Sequence, residues 1–209
     1  MIRQFILGEI QENGYLVVKG HDCYMIDPGA ESYKILDELH HDDLHLVAIL
    51  LTHGHFDHIG AIDDLVKEYH CPVYASHNAI LMTQDPYKNL TARTQSMTVH
   101  SPMTELGDSL TILGEDIQVI STPGHTDGDV CFYVPEEEAL FTGDTLFKGA
   151  IGRTDFPTGS LEHMILSLEK LKNLDVHAYV FPGHGPSSTL DEEKKSNEYL
   201  NIDFNKLML

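Results

Sequence analysis

Tryptophan is absent from the 209 residues, cysteine occurs three times, and lysine plus arginine number 13 against 33 aspartates and glutamates. Each shortage excludes something. Cys23, Cys71 and Cys131 are widely spaced in apolar contexts, so a disulfide framework is not expected and buried free thiols are. The formal charge of −20 would repel nucleic-acid phosphates, so no nucleic-acid partner is expected, and an anionic small molecule would need a local basic patch. No apolar run approaches the roughly 20 residues that span a bilayer, and Met1-Ile2-Arg3-Gln4-Phe5 opens no apolar leader. No membrane association is expected, and the expected location is the cytoplasm. Gly/Ser-rich and Pro-rich linkers are also lacking, so residues 1–209 are expected to form one domain with a sizeable core.

Histidine, by contrast, occurs 14 times. The dense stretch is Leu51-Thr52-His53-Gly54-His55-Phe56-Asp57-His58-Ile59-Gly60. His53 and His55 are two apart, so on extended chain both imidazoles face the same way and can hold one cation. Asp57 and His58 are adjacent and can serve together only on a tight turn, for which Gly54 and Gly60 offer backbone freedom. Two metal ions side by side fit this arrangement. Imidazole and carboxylate without thiolate suit zinc, iron or manganese. His21, His40, His41, His45, His70, His77, His100, His163 and His177 show no partner spacing and read as ordinary surface or packing residues.

The rest of the chain places this stretch. Arg3 to Ile10, Tyr15 to Lys19 and Cys23 to Ile26 are β-prone, with Asn13-Gly14 as a hairpin signal. Glu31 to His41 reads as a helix with Ile35, Leu36 and Leu39 on one side, and the apolar run Leu46 to Leu51 reads as a buried strand. The histidine stretch therefore follows a buried strand, and Ala61 to Tyr69 continues it as a helix. Pro72 to Ser76 is a further strand, whereas Asn78 to Glu105 is polar and irregular and suits a cover over the site. Ile117 to Ile120, Val130 to Val134, Ala139 to Phe141 and Ala178 to Phe181 are strand candidates. Ser160 can cap a helix with Leu161, Ile165, Leu168 and Leu171 inward, and Thr189 to Glu192 is a capping box for the last helix. The apolar C-terminal Phe204 and Leu207-Met208-Leu209 are suited to packing on that helix or covering a dimer contact. Strands followed by helices in both halves predict an α/β layered architecture, with sheets packed together and helices outside.

Three later turns share one design, an apolar strand followed by Gly and a ligand-type residue: Pro123-Gly124-His125-Thr126, Thr142-Gly143-Asp144-Thr145 and Pro182-Gly183-His184-Gly185. Such turns at strand ends are where rigid scaffolds present functional side chains, so the three could converge with the first stretch. Taken in order, Thr-His-Gly-His-Phe-Asp-His, Pro-Gly-His-Thr, Thr-Gly-Asp-Thr and Gly-His-Gly-Pro resemble the metallo-β-lactamase superfamily over nearly the whole chain. The resemblance implies an αβ/βα four-layer sandwich of two mixed sheets with metals at one edge. It implies that His53, His55 and His125 hold one metal, that Asp57, His58 and His184 hold a second, and that Asp144 bridges both.

Within that superfamily, position 55 is His where oxygen-reducing flavodiiron relatives carry Glu, and position 144 is Asp where the commonest zinc β-lactamases carry Cys. The charge and the absence of an RNA-clamping domain argue against the RNA-processing members. The chain most resembles the small single-domain glyoxalase II-like hydrolases, supported by Gly152-Arg153-Thr154-Asp155-Phe156 soon after Asp144. Lys148 and Arg153 are candidates to receive a substrate carboxylate, or Arg153 simply pairs with Asp155. Larger glyoxalase II enzymes add a C-terminal domain for glutathione, and Pro186 stands where they offer a substrate-binding tyrosine. The implied activity is hydrolysis of a small anionic thioester such as S-D-lactoylglutathione by a hydroxide between two divalent metals, zinc first among them, with Asp57 orienting it and taking its proton. A second reading is a persulfide dioxygenase holding one iron through His53, His125 and Asp144, and a third is a metal-binding protein without catalysis.

Overall fold

The computed structural model describes residues 1–202, so Phe204 and Leu207-Met208-Leu209 lie outside the described residues. Strands β1 (Ile2–Leu7), β2 (Glu12–Lys19) and β3 (Asp22–Ile26) form the expected antiparallel meander. The first reversal is not at Asn13-Gly14, however. Residues 8–11 make it, with Gly8 and Gln11 at positive φ, while Asn13 and Gly14 lie inside β2 opposite Ile6 and Phe5. Gly14 is explained by packing: a Cβ there would meet the Asp27 carbonyl oxygen at 2.8 Å.

Helix α1 (Ser32–His41) buries Ile35 and Leu39, and β4 (His45–Leu50) then pairs parallel to β3. A four-residue helix, α2 (Phe56–Ile59), and α3 (Ile62–Tyr69) follow, then β5 (Val73–Ala75) parallel to β4. The stretch that reads as irregular opens on α4 (His77–Thr83), where the Ser76 hydroxyl accepts from the Ala79 amide, and ends on β6 (Met103–Glu105). Both elements are too short for periodicity to announce them.

The second half contains β7 (Ser109–Ile112), β8 (Glu115–Ser121), β9 (Val130–Val134), β10 (Ala139–Gly143) and a small hairpin, β11 (Leu146–Phe147) and β12 (Ala150–Ile151). Then come α5 (Leu161–Lys172), β13 (Tyr179–Pro182), β14 (Ser188–Thr189), α6 (Leu190–Ser196) and α7 (Glu198–Asn201). Ser160 caps α5, and Thr189 with Glu192 forms the capping box of α6. The inward face of α5 is shifted from the expected one: Met164, Leu168 and Leu171 are its buried i, i+4, i+7 stripe, while Leu161, at the first helical position, is 56% exposed.

Strand order is β1-β2-β3-β4-β5-β6 in one six-stranded sheet and β14-β13-β10-β9-β8-β7 in the other, each with parallel and antiparallel pairs. Three apolar clusters fix the layers. Ile35, Leu39, Ile62 and Leu65 of the helices pack on Leu16, Met25 and Ile49 of the first sheet. Tyr15, Val17 and Ile26 point to the other face and meet Phe132, Val134 and Phe141 of the second sheet. Met164, Leu168, Leu171 and Leu190 cover Cys131, Leu140 and Val180 on that sheet's far side. Alternate residues of β2 enter different clusters, as a strand buried on both faces requires. The layers are helix, sheet, sheet, helix, the αβ/βα sandwich. Among the described residues, no helix is long and apolar enough to cross a membrane.

Candidate metal centre

Past β4, the loop of residues 51–55 delivers His53 and His55, and α2 then carries Asp57 and His58. The pair sits on a helical turn, not the tight turn expected. Neither Gly54 nor Gly60 has positive φ; each is needed for close approach, a Cβ on Gly60 clashing with the Gly29 carbonyl oxygen and one on Gly54 falling 2.7 Å from that of Ala79. Neighbouring chain, and not backbone freedom, shapes this loop.

All seven side chains named from the sequence converge. His55 Nδ1 lies 3.1 Å from His53 Nε2 and 2.9 Å from His125 Nε2. His184 Nε2 lies 3.1 Å from Asp57 Oδ2, and His58 Nε2 lies 3.5 Å from the same oxygen. Asp144 stands between these triads, with Oδ1 3.5 Å from His58 Nε2 and Oδ2 3.5 Å from His125 Nε2 and 3.7 Å from His184 Nε2.

The supporting hydrogen bonds fix where the lone pairs point. His125 Nδ1 donates to the Arg153 carbonyl at 2.8 Å and His58 Nδ1 to Asp27 Oδ2 at 3.0 Å. Thr52 donates its hydroxyl proton to Asp27 at 2.6 Å and accepts from His53 Nδ1 at 3.1 Å. In His53 and His125 the Nε2 lone pair is therefore turned into the centre, and Nε2 of His58 points there too. Burial pushes His53 well below its ordinary range, and burial with the neighbouring His125 pushes His55 to about 3, so these rings stay neutral. His55 has one ring proton to share between two facing lone pairs, and its buried Nε2 has no partner. His58 Nε2 and Asp144 Oδ1 are buried without a hydrogen-bond partner as well. Burial works against charge on His58, but Asp57 and Asp27 outweigh it and push the ring well above its ordinary range. The centre thus calls for positive charge at both triads, and its donors fit divalent metal ions.

The second-half donors come from the ends of β8, β10 and β13 and are held across the sandwich. Asn13 of β2 donates from Nδ2 to the Pro182 and Gly185 carbonyls at 3.0 and 2.8 Å, and its amide donates to Gly183 at 2.8 Å. The Tyr15 hydroxyl donates to Pro182 at 2.7 Å. The first sheet thereby grips the His184 turn of the second. Asn13, Tyr15 and Asp27 are the functional supports that sequence reasoning missed. Glu12 is another: it is fully buried, its Oε1 is 3.8 Å from His58 Nδ1, and burial pushes its carboxyl well above the ordinary range. The nine other histidines are all exposed.

Lys148 is exposed and has no hydrogen-bond or ion-pair partner among the described residues, beside Phe147. Arg153 pairs bidentately with Asp155 at 2.6 and 2.7 Å and lies 4.1 Å over the Phe156 ring, which in turn packs edge-on to His55 and His125. A cleft of about 270 Å³ opens over the centre. Its floor is His55, Asp57, His125, Asp144 and His184, and its walls include Ile10, Phe56, Leu90, Phe147 and Phe156. From the irregular stretch, the Asn89 carbonyl accepts from the Phe56 amide at 3.2 Å and sets Leu90 in that wall.

Fold and centre together define the class, an αβ/βα sandwich with a His/Asp metal centre where loops from both sheets meet. Residues 7–184 match the Metallo-beta-lactamase superfamily, and the chain belongs to it. That superfamily binds divalent metals. The chain is 37% identical over 204 residues to "Probable metallo-hydrolase YqgX" of Bacillus subtilis, covering 95% of this chain and 97% of that one. It is 35% identical over 183 residues to "Hydroxyacylglutathione hydrolase GloC" of Haemophilus influenzae, covering 85% and 86%. Among solved structures it is similar to BLEG-1 B3 metallo-beta-lactamase, with TM-score 0.92, 35% identity and coverage of 97% of this chain and 100% of that one. It is also similar to TTHA1623 in a di-iron-bound form, with TM-score 0.84, 38% identity and coverage of 94% and 99%.

Proposed function

We propose that the protein is a binuclear metal-dependent hydrolase acting on a small anionic thioester, of which S-D-lactoylglutathione is the representative. The observation that carries this reading is the pair of donor triads on either side of Asp144 at the floor of an apolar-walled cleft. His53, His55 and His125 would hold one cation, Asp57, His58 and His184 the other, and Asp144 both. Zinc is the cation proposed from imidazole and carboxylate donors, and iron uses the same donors. Bound there, such cations supply water ionised near neutral pH and a Lewis acid for a carbonyl. The similarity to a hydroxyacylglutathione hydrolase supports the thioester class.

The chain's own residues supply the rest. Burial opposes charge on Asp57, but His58 and the His184 hydrogen bond hold its carboxyl below the usual range. It is thus an ionised acceptor at the cleft floor, placed to orient attacking water and take its proton. Phe56, Phe147 and Phe156 exclude bulk water from the acyl group. The thiolate leaves without a strong proton donor, and among the described residues lining the cleft there is no serine or cysteine nucleophile. Lys148, unpartnered beside the cleft wall, is the freer of the two proposed substrate cations, because Asp155 already occupies Arg153.

Hydrolysis of S-D-lactoylglutathione by zinc-loaded and iron-loaded protein tests this, with a β-lactam and oxygen consumption on a persulfide as the contrasting arms. Thioester turnover is expected, and Asp57→Ala should lower kcat by about a hundredfold or more while the fold is retained. Turnover confined to either contrasting arm, or near-normal rates in the variant, would overturn the proposal.

A further inference from the structure

We infer that a second pocket beside the metal cleft, lined by Tyr87, Leu90, Ala92, Arg93 and Pro157, holds a carboxylate-bearing end of the substrate through the Arg93 guanidinium. The inference rests on the hydrolase reading and narrows its substrate class to thioesters carrying a carboxylate away from the scissile bond. The pocket encloses about 230 Å³ and shares Leu90 with the metal cleft, and its Pro157 directly follows Phe156 of the cleft wall. A substrate can therefore run from one into the other.

Among the described residues Arg93 is the one arginine of three whose side chain has no partner; the side chains of Lys67, Lys88, Lys148 and Lys195 have none either, but none of them lines this pocket. Carboxylates engage Arg3, Lys19, Lys34 and Arg153, and carbonyl oxygens engage Lys170, Lys172 and Lys194. Among the described residues, Arg93 makes no hydrogen bond and no ion pair, although acidic groups outnumber basic ones 33 to 13 along the chain. A planar guanidinium left open at a pocket matches a carboxylate bidentately. Tyr87, 68% exposed, offers a flat face to the connecting atoms.

The segment bearing these residues is also built in. Asn89 is fully buried; its Nδ2 donates to the Met97 carbonyl at 2.8 Å, and its Oδ1 accepts from the Thr91 hydroxyl at 2.6 Å. The bond from the Phe56 amide to the Asn89 carbonyl ties the segment to α2, next to Asp57. The backbone just before Arg93 is thereby anchored to the helix that carries Asp57.

The test is binding of unreactive thioether analogues of the thioester, each made as a free acid and as its methyl ester, with the carboxylate on the thiol side in one series and on the acyl side in the other. In one series the protein should bind the acid about tenfold more tightly than the ester, the scale of an exposed charge-assisted pair. Arg93→Gln should remove that preference and Arg93→Lys restore part of it, with unchanged circular dichroism. Equal binding of acid and ester in both series, or a preference surviving in Arg93→Gln, would overturn the pocket's assignment. Absent thioester turnover with the preference intact would instead sink the hydrolase reading, so the two failures separate.

Discussion

In the first half of the chain His53, His55, Asp57 and His58 sit on one loop and one helical turn, whereas His125, Asp144 and His184 come singly from turns after β8, β10 and β13. The supports differ in the same way. Asp27, buried just past β3, accepts from the Thr52 amide at 2.8 Å, the Thr52 hydroxyl at 2.6 Å and His58 Nδ1 at 3.0 Å. One carboxylate thus orders most of the dense loop. In the second half, His125 leans on the Arg153 carbonyl and the His184 turn on Asn13 of the opposite sheet. A local cluster can be steadied from one point, while scattered donors need the whole sandwich to bring them together.

The comparison breaks first at Asp27. Asp27→Ala leaves two buried donors of Thr52 and one of His58 without an acceptor. The expected loss is about 3 kcal/mol of stability, with metal affinity weakened about 10- to 100-fold. Denaturant unfolding and a competitive metal titration measure the two effects. If stability and affinity both stay near wild type, the dense loop is not held from a single point.

The same contrast explains what could be read from the chain. The donors on 53–58 announce themselves by density, and the Gly-His and Gly-Asp turns gain meaning only from their order behind the first stretch. Strands β4, β9 and β10 are continuous apolar runs because both their faces are buried, so they too were legible. Asp27 was not, because Ile26-Asp27-Pro28 looks like any turn and its partners lie 25 and 31 residues away. Asn13 was misread outright. Local rules make Asn-Gly a hairpin turn, but here its side chain reaches carbonyls 169 and 172 residues along the chain. Donor identity can be local information, whereas donor support is set by the fold.

Asn13→Ala sharpens the point with a smaller effect. It removes two side-chain bonds to the His184 turn but keeps the amide bond to Gly183, so about 1–2 kcal/mol of stability should go. Because the clamp touches only the His184 side, tight binding of the first metal ion should persist while the second is weakened, read as biphasic metal titration. Equal weakening of both would mean that the two triads are held as one unit.

The smallest effect belongs to the histidines outside the centre. By composition alone any of the 14 is a potential ligand, yet His77 and His177 are exposed and, among the described residues, pair with Glu105 and Asp191 alone, at 3.1 and 2.8 Å. Two facing groups cannot hold a metal ion against water as a converging buried set does. Replacing both, as His77→Gln with His177→Gln, should leave metal content and unfolding midpoint within experimental error. A drop in tightly bound metal would show that the surface histidines compete for the cation, and that burial does not separate ligand from bystander in this fold.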